Sequence, residues 1–138
     1  MDQRKPSYWG VLLVVSMAIF ILVIDTTIMN VSISALVDDL NTEVSTIHSI
    51  ISIYTLVMAA FMLVGAKIQD ILGRKRTYLI GAAIYGVGTF TAAISLNAGM
   101  LLFGWSILEG IGAVMMLPAT ATFITDTYEG QDRALAFG

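Results

Sequence analysis

The chain has 138 residues, of which 57% are hydrophobic and 12% are charged, with a formal net charge of −3. Soluble domains carry about twice this share of charged residues, so the composition excludes a water-soluble globular protein and indicates bilayer-spanning helices. The chain has no cysteine and one histidine, His48, which excludes disulfides, iron–sulfur clusters and histidine metal clusters.

The first predicted helix covers residues 8–37, where Asp25 is the one charged residue. Arg4 and Lys5 precede it in a polar amino end, a pattern that imitates a secretory signal peptide. The apolar run is too long for a signal and lacks a clear cleavage site, so we predict a retained span. The turn that follows, residues 38–43, holds three acids and no base, and we expect it to face outward.

The second predicted helix covers residues 44–68 and runs into a short polar loop, residues 65–76, with the sequence GAKIQDILGRKR. This loop holds four of the seven basic residues, namely Lys67, Arg74, Lys75 and Arg76. Because Lys and Arg near the ends of spans resist translocation, the cluster marks the cytoplasmic face. Placing this loop inside fixes the topology of the chain.

The stretch over residues 77–125 is almost entirely apolar. As one helix it would be about 70 Å long, whereas the hydrocarbon core of a bilayer is about 30 Å thick. The stretch must therefore reverse once, and residues 95–99 hold the only turn-forming chemistry near its middle. We predict a third helix over residues 77–95 and a fourth over residues 99–126.

Four spans place both ends of the chain on the same side of the membrane. All seven Lys and Arg residues then fall in the amino end, the basic loop or the tail, and none falls in the two outer turns. We therefore expect an all-α polytopic membrane protein with a single membrane domain over residues 1–138 and both termini in the cytoplasm.

The basic loop resembles the signature between the second and third helices of the major facilitator superfamily, commonly written GxLxDRxGRR. The matching positions are Asp70, Gly73, Arg74 and Lys75, followed by Arg76, whereas Ala66 and Ile71 depart from the pattern. In that family the loop latches the cytoplasmic side, because its Asp faces the positive amino end of a helix in the other half of the transporter. The resemblance implies a gating role for this segment; the alternative is a basic loop that only orients the protein.

Two further segments resemble family motifs at the expected places. The sequence IDTTIMNV, residues 24–31, is similar to the first-helix motif of the fourteen-helix drug:proton antiporter branch, in which Asp25, Thr27 and Asn30 correspond. The tail QDRALAFG, residues 131–138, looks like the segment that leads into a fifth helix. The chain would then be the amino-terminal four-helix portion of such a protein, incomplete relative to the family.

Residues 102–113 resemble the fourth-helix motif lxxxRxxQGxGA of the same family. Gly110 and Gly112 are kept, and we expect them to serve helix packing, while Pro118 should kink the helix. Ser106 stands where the family has an arginine implicated in proton coupling, and Glu109 stands where the family more often has glutamine.

The resemblance implies a transmembrane transporter in the plasma membrane, the amino-terminal part of a proton-coupled drug or multidrug exporter that works by alternating access. It implies no enzyme activity, no cofactor and no nucleic acid; protons would be the coupling ion. The implied partners are the bilayer, a small amphiphilic substrate, and either the remainder of the transporter or further copies of the chain. The alternatives are a non-transporting remnant or membrane subunit, and a small four-helix multidrug exporter, although the one-sided basic residues disfavour the last.

Asp25 and Glu109 are acids inside hydrophobic spans, where a charge costs at least about 2.5 kcal/mol. A carboxyl group that is neutral when occluded and ionised when wetted can carry a proton through alternating access. Both acids lie at comparable depth in the outer half of the membrane, so we expect them, with Asn30, to form the proton or substrate site. Without a base in the spans, two neighbouring carboxyl groups would share a proton; the alternative is that a nearby hydroxyl or amide satisfies each one.

Overall fold

The computed structural model describes residues 8–138, and every regular element in this range is a helix. Only the segment Leu102–Glu109 of the described residues is wound as a π-helix instead of an α-helix. The predicted cytoplasmic placement of Arg4 and Lys5 lies outside the described residues. The helices are α1 (Tyr8–Val31), α2 (Ile33–Asp39), α3 (Val44–Leu72), α4 (Arg74–Ala93), α5 (Ala98–Thr127) and α6 (Gly130–Phe137).

Three of these helices, α1, α3 and α5, are long and apolar enough to cross a membrane. The other long helix, α4, has 20 residues and begins with three basic residues, which lower its mean hydropathy. Large apolar side chains cover the outer surface; Leu63, for example, is 83% exposed. The prediction of an all-α polytopic membrane protein is confirmed, and the chain is an integral membrane protein.

The first predicted helix, residues 8–37, is divided at Ser32 into α1 and α2. Backbone hydrogen bonds continue across the division, because the Ser32 N–H donates to Ile28 O at 2.9 Å and the Leu36 N–H donates to Ser32 O at 2.9 Å. Asp38 and Asp39 therefore lie in the last turn of α2 rather than in the acidic turn expected from the sequence. The chain reverses after them, where Asn41 has a φ of 49°.

The basic segment is not the polar loop that its charge density predicts. Helix α3 continues to Leu72 and α4 begins at Arg74, so Gly73 alone makes the reversal, with φ 84° and ψ 151°. Residues with a side chain rarely adopt this conformation, which explains why glycine is placed there. The basic side chains can belong to a helix because long cationic side chains extend from helix ends to the membrane surface.

Helix α5 is the centre of the bundle. Of its apolar membrane-crossing part, 61% is buried inside the protein, compared with 17% for α1 and 22% for α3. It contacts α4 along most of its length through glycines on both helices. A Cβ atom added at Gly112 would lie 2.7 Å from Tyr85 N, and one added at Gly88 would lie 2.7 Å from Glu109 N. The backbones of α4 and α5 are therefore in direct contact, as small residues permit between membrane helices.

Helix α3 meets α5 at two further glycines. A Cβ atom added at Gly110 would lie 2.9 Å from Val57 Cγ1 in α3. Pro118 lies inside α5, which continues to Thr127, but its missing N–H leaves the Val114 carbonyl without a helical hydrogen bond. Gly65 of α3 packs directly against that Val114 oxygen and leaves no room for a Cβ atom. The proline thus exposes a carbonyl that only a glycine-sized neighbour can approach.

Candidate functional site: a buried carboxyl pair

The π-helical segment of α5 carries two buried polar residues, Ser106 and Glu109. Ser106 is fully buried, and Glu109 is 1% exposed. A carboxyl group in such surroundings is costly to hold as an unpaired charge. π-Helical turns frequently occur at functional sites, and this one includes both Ser106 and Glu109.

Asp25 of α1 is partly buried and accepts a hydrogen bond from the Trp105 Nε1–H at 2.8 Å. The indole is itself held in place, because it stacks on the ring of Tyr54 with the centroids 4.3 Å apart and the planes at 22°. An indole N–H can only donate a hydrogen bond. The contact therefore requires an acceptor oxygen of Asp25 to face the indole.

Glu109 of α5 lies beside Asp25, and Thr89 and Tyr85 of α4 lie beside its carboxyl group. Neither carboxyl oxygen of Glu109 reaches hydrogen-bond geometry with any donor among residues 8–138, and the same holds for the Tyr85 hydroxyl. The structure thus brings the two acids together in the core of the bundle. Their hydrogen bonding is unequal, because Asp25 has a donor and Glu109 has none.

Among residues 8–138, no cationic side chain forms an ion pair with Asp25 or Glu109. The segments 9–31, 44–66 and 77–125 contain no Lys or Arg. The hydroxyl of Ser106, the residue at the arginine position of the fourth-helix motif, donates to the Ile50 carbonyl of α3 at 2.7 Å. With no base beside it, the pair can lower its charge by holding a proton between its members.

Asn30 does not join the carboxyl pair. Its side chain is exposed, and its amide nitrogen donates to the Thr26 carbonyl of the same helix at 2.7 Å. The neighbouring Thr27 is also exposed and donates to the Val23 carbonyl at 2.8 Å. These groups form a polar strip on a face of α1 that the described helices leave uncovered.

A second polar group lies at the end of the bundle where α3 meets α4. Arg74 forms an ion pair with Asp126 of α5, and its guanidinium lies over the Phe123 ring, 5.8 Å from the centroid. Gln69 of α3 donates to the Thr122 hydroxyl at 2.6 Å. Together these contacts tie the ends of α3 and α4 to α5.

The other residues of the basic segment are differently placed. Asp70, Lys75 and Arg76 are exposed, and no ion pair joins any of them to another residue within 8–138. Arg133 of α6 is partly buried and donates to the Thr125 carbonyl at 2.7 Å and to the Tyr128 carbonyl at 2.8 Å. It therefore caps the end of α5, where the last carbonyl groups lack helical partners.

Sequence reasoning missed several residues of these two groups, among them Trp105, Tyr85 and Asp126. Trp105 and Tyr85 could not be assigned to the site from the sequence, because aromatic residues are common in any membrane helix. Neither residue lies next to an acid in the sequence. Asp126 had a signal, since it is the one acid at the end of the fourth predicted helix and the basic segment lies at the same membrane face. That coincidence of charge could have suggested the ion pair.

A bundle of membrane-crossing helices with buried, unneutralised acids is typical of membrane transport proteins. The chain belongs to the Major Facilitator Superfamily, because the model of that family matches residues 15–138. The resemblance drawn from the motifs is therefore confirmed.

Related proteins include several named for drug resistance. The methylenomycin A resistance protein of Bacillus subtilis is 28% identical over 99% of this chain and 30% of its own length. The lincomycin resistance protein of Streptomyces lincolnensis is 28% identical over 94% of this chain and 28% of its own length. The multidrug efflux pump LfrA of Mycolicibacterium smegmatis is 29% identical over 91% of this chain and 25% of its own length. The chain thus spans less than a third of these relatives, and no solved structure matches it significantly.

Proposed function

We propose that this chain is the amino-terminal part of a proton-coupled exporter of small amphiphilic drugs. It would work by alternating access in the plasma membrane, with both termini in the cytoplasm and four spans that include α4. The observation that carries this proposal is the pair of the partly buried Asp25 and the buried Glu109, which no base of the described residues neutralises. Relatives named for drug resistance and efflux support the substrate class.

The pair supplies the chemistry that proton coupling needs. When the pair is occluded, one proton shared between the two carboxyl groups leaves a single negative charge, which the Trp105 N–H stabilises. When water reaches the pair, both carboxyl groups can ionise and release that proton. Opening to alternate sides would couple this release to the movement of substrate.

The uncovered polar strip of α1 is the second part of the proposal. Thr27 and Asn30 are exposed polar side chains in a membrane-crossing helix, where contact with lipid is unfavourable. We assign this face to the substrate cavity, between these helices and the remainder of a longer transporter or further copies of the chain. Asn30 would contact substrate, and the shared proton would be held by the Asp25–Glu109 pair, about one and a half helical turns away along α1.

The basic segment would act at the cytoplasmic side. Arg74 links α4 to Asp126 of α5 and so holds the inner ends of two helices together. Asp70, Lys75 and Arg76 remain exposed and available to a helix from another part of the transporter. Gly73 reverses the chain sharply between α3 and α4. The charged side chains on both sides of it therefore lie at the same end of the bundle.

Carbodiimide labelling and growth under toxic compounds test the proposal together. At neutral pH, a carbodiimide should modify Asp25 or Glu109 in membranes, because protonated carboxyl groups in lipid react. Cells that produce the chain together with the remainder of its transporter should tolerate amphiphilic drugs better than control cells, and Asp25→Asn and Glu109→Gln should each remove that gain. Asp38→Asn, which changes an exposed acid of α2, is the matched control and should keep it.

Two other outcomes would point elsewhere. Equal growth of the wild type, Asp25→Asn and control cells favours a non-transporting membrane subunit or remnant. Resistance that depends on insertion in both orientations favours a small four-helix exporter. Absence of labelling at both acids overturns the proton-coupled reading.

A further inference from the structure

Ser106 is the one serine or threonine of residues 8–138 whose hydroxyl donates to the backbone of a different helix. It is fully buried in the π-helical segment of α5 and donates to the Ile50 carbonyl of α3 at 2.7 Å. Most other hydroxyls donate within their own helix, as Ser52 does to the His48 carbonyl at 2.9 Å. That local bond is common for Ser and Thr in helices, so the bond of Ser106 between two helices calls for an explanation.

The bond of Ser106 is one of two contacts that α3 makes with consecutive residues of the π-helical segment. The neighbouring residue, Trp105, stacks on Tyr54 with the ring centroids 4.3 Å apart. Ile50 and Tyr54 lie four residues apart in α3, so both contacts come from the same face of that helix. A helical carbonyl has two lone pairs, so Ile50 can accept from Ser106 in addition to its own helical hydrogen bond. Two contacts one turn apart fix the rotation of the segment about its axis, which the stacking contact alone would leave free.

The rotation of the segment decides whether Trp105 reaches Asp25. The indole Nε1–H donates to Asp25 Oδ2 of α1 at 2.8 Å. Side chains extend about 5–6 Å from a helix axis, so a rotation of about 10° would move the indole nitrogen by about 1 Å. A hydrogen bond of 2.8 Å does not survive a stretch of that size, because N–H···O bonds in proteins are about 2.7–3.2 Å long. Ser106 therefore controls a hydrogen bond that it does not itself make.

Helix α4 also packs against the segment, but through contacts of another kind. A Cβ atom added at Gly88 would lie 2.7 Å from Gly104 O and 2.7 Å from Glu109 N. These are contacts between a glycine and backbone atoms, which limit how closely the helices approach. The hydroxyl bond of Ser106 adds a direction, because a hydrogen bond weakens when its donor rotates away from the acceptor.

We propose that Ser106 is a positioning residue of the carboxyl pair. Its bond to the Ile50 carbonyl holds the π-helical segment at the rotation in which the indole N–H reaches Asp25. Glu109 follows Ser106 by three residues in the same segment, so its position depends on the same bond. This inference deepens the proposed function and rests on it, because it names the residue that positions the donor of the proton site.

The indole N–H signals in NMR spectra test this inference, because the chain has two tryptophans, Trp9 and Trp105. The full chain is isotope-labelled at the indole nitrogens and placed in lipid nanodiscs, and Trp9→Phe assigns the two signals. In Ser106→Ala, hydrogen exchange of the Trp105 N–H should be about fivefold to tenfold faster than in the wild type, the size expected for one lost hydrogen bond. Ser52→Ala, which removes a hydroxyl that bonds within α3, is the matched control and should leave the rate unchanged. Trp9 is 76% exposed, so its signal is the internal reference and should stay the same in both variants.

A second readout separates positioning from a loss of stability. Asp25→Asn replaces the carboxylate acceptor by an amide, so it should shift the Trp105 N–H signal in the wild-type background. The shift should be much smaller in the Ser106→Ala background, where the indole no longer reaches residue 25. A general loss of stability would leave the folded molecules with their hydrogen bond, and the shift would then be the same in both backgrounds.

Three results overturn the inference. The first is an exchange rate of Trp105 that Ser106→Ala leaves unchanged, and the second is an equal rise of that rate in Ser52→Ala. The third is a shift by Asp25→Asn that is equal in both backgrounds. None of these results contradicts the proposed function, because they involve neither transport nor the proton. Absence of carbodiimide labelling at both acids overturns the proposed function and the inference with it, because Ser106 would then position no proton site.

Discussion

The contact between α4 and α5 can be tested with two identical substitutions placed two residues apart. In Gly88→Ala, the new Cβ atom would lie 2.7 Å from Glu109 N, 2.7 Å from Gly104 O and 2.8 Å from Glu109 Cγ. In Gly86→Ala, the new Cβ atom meets nothing within 4 Å. Both variants gain the same helix propensity, about 0.8–1.0 kcal/mol, so their difference isolates the contact.

The expected size of that difference follows from the geometry. Ordinary contacts of a Cβ atom begin at about 3.4 Å, so Gly88→Ala must separate the two backbones by about 0.7 Å. Two of the three atoms it meets are backbone atoms of α5, which cannot rotate away. Overpacking of this kind costs about 1–3 kcal/mol, and we expect Gly88→Ala to be less stable than Gly86→Ala by that amount.

The measurement is the free energy of unfolding of both variants and the wild type in mixed micelles titrated with a denaturing detergent. The Trp105 fluorescence should also change in Gly88→Ala, because separating the helices moves Glu109 relative to Asp25. If the two variants agree within about 0.5 kcal/mol, α4 and α5 are not in backbone contact, and the placement of Glu109 beside Asp25 would have to be revised.

Three further predictions concern the two ends of the bundle. Asp126→Asn and Arg74→Gln should each cost less than about 1 kcal/mol, since both side chains are more than 40% exposed, and the double variant should cost no more than the larger single one in the same unfolding assay. Gln69→Leu should cost about 0.5–1.5 kcal/mol, and the cost should disappear when Thr122→Val is already present. Cysteines at Asn41 and Asn97 should react with an impermeant reagent added outside intact cells, whereas one at Lys75 should not; the reverse pattern would contradict the inferred orientation.

Much of the helical framework follows from the sequence because hydrophobic length is a strong constraint in a bilayer. The position of the basic residues identified the reversal near Gly73, and counting from the predicted turns placed Asp25 and Glu109 at similar depth. The sharpness of that reversal was not predicted. Charge density indicates the membrane surface, but it cannot distinguish a loop from a helix end whose long side chains reach the surface.

The details of the carboxyl pair depend on contacts between residues far apart in the chain. Trp105 donates to a residue 80 positions earlier, and Ser106 to one 56 positions earlier. No local sequence pattern shows which face of α5 meets α1. The distance between α5 and α4 depends in turn on glycine contacts between residues far apart in the chain. The division of the first predicted helix at Ser32 was equally invisible, since the residues on both sides are apolar and suit a continuous helix.

The π-helical segment makes α5 sensitive to its residue count. A regular α-helix turns by about 100° per residue, whereas the wider winding of Leu102–Glu109 turns by less. A helical wheel drawn with one period would therefore misplace every side chain after Glu109. Losing or gaining a single residue in this stretch would rotate the whole following half of α5 and move Gly110 and Gly112 away from the helices that they contact. We therefore expect this stretch to tolerate exchanges of residues better than changes of length.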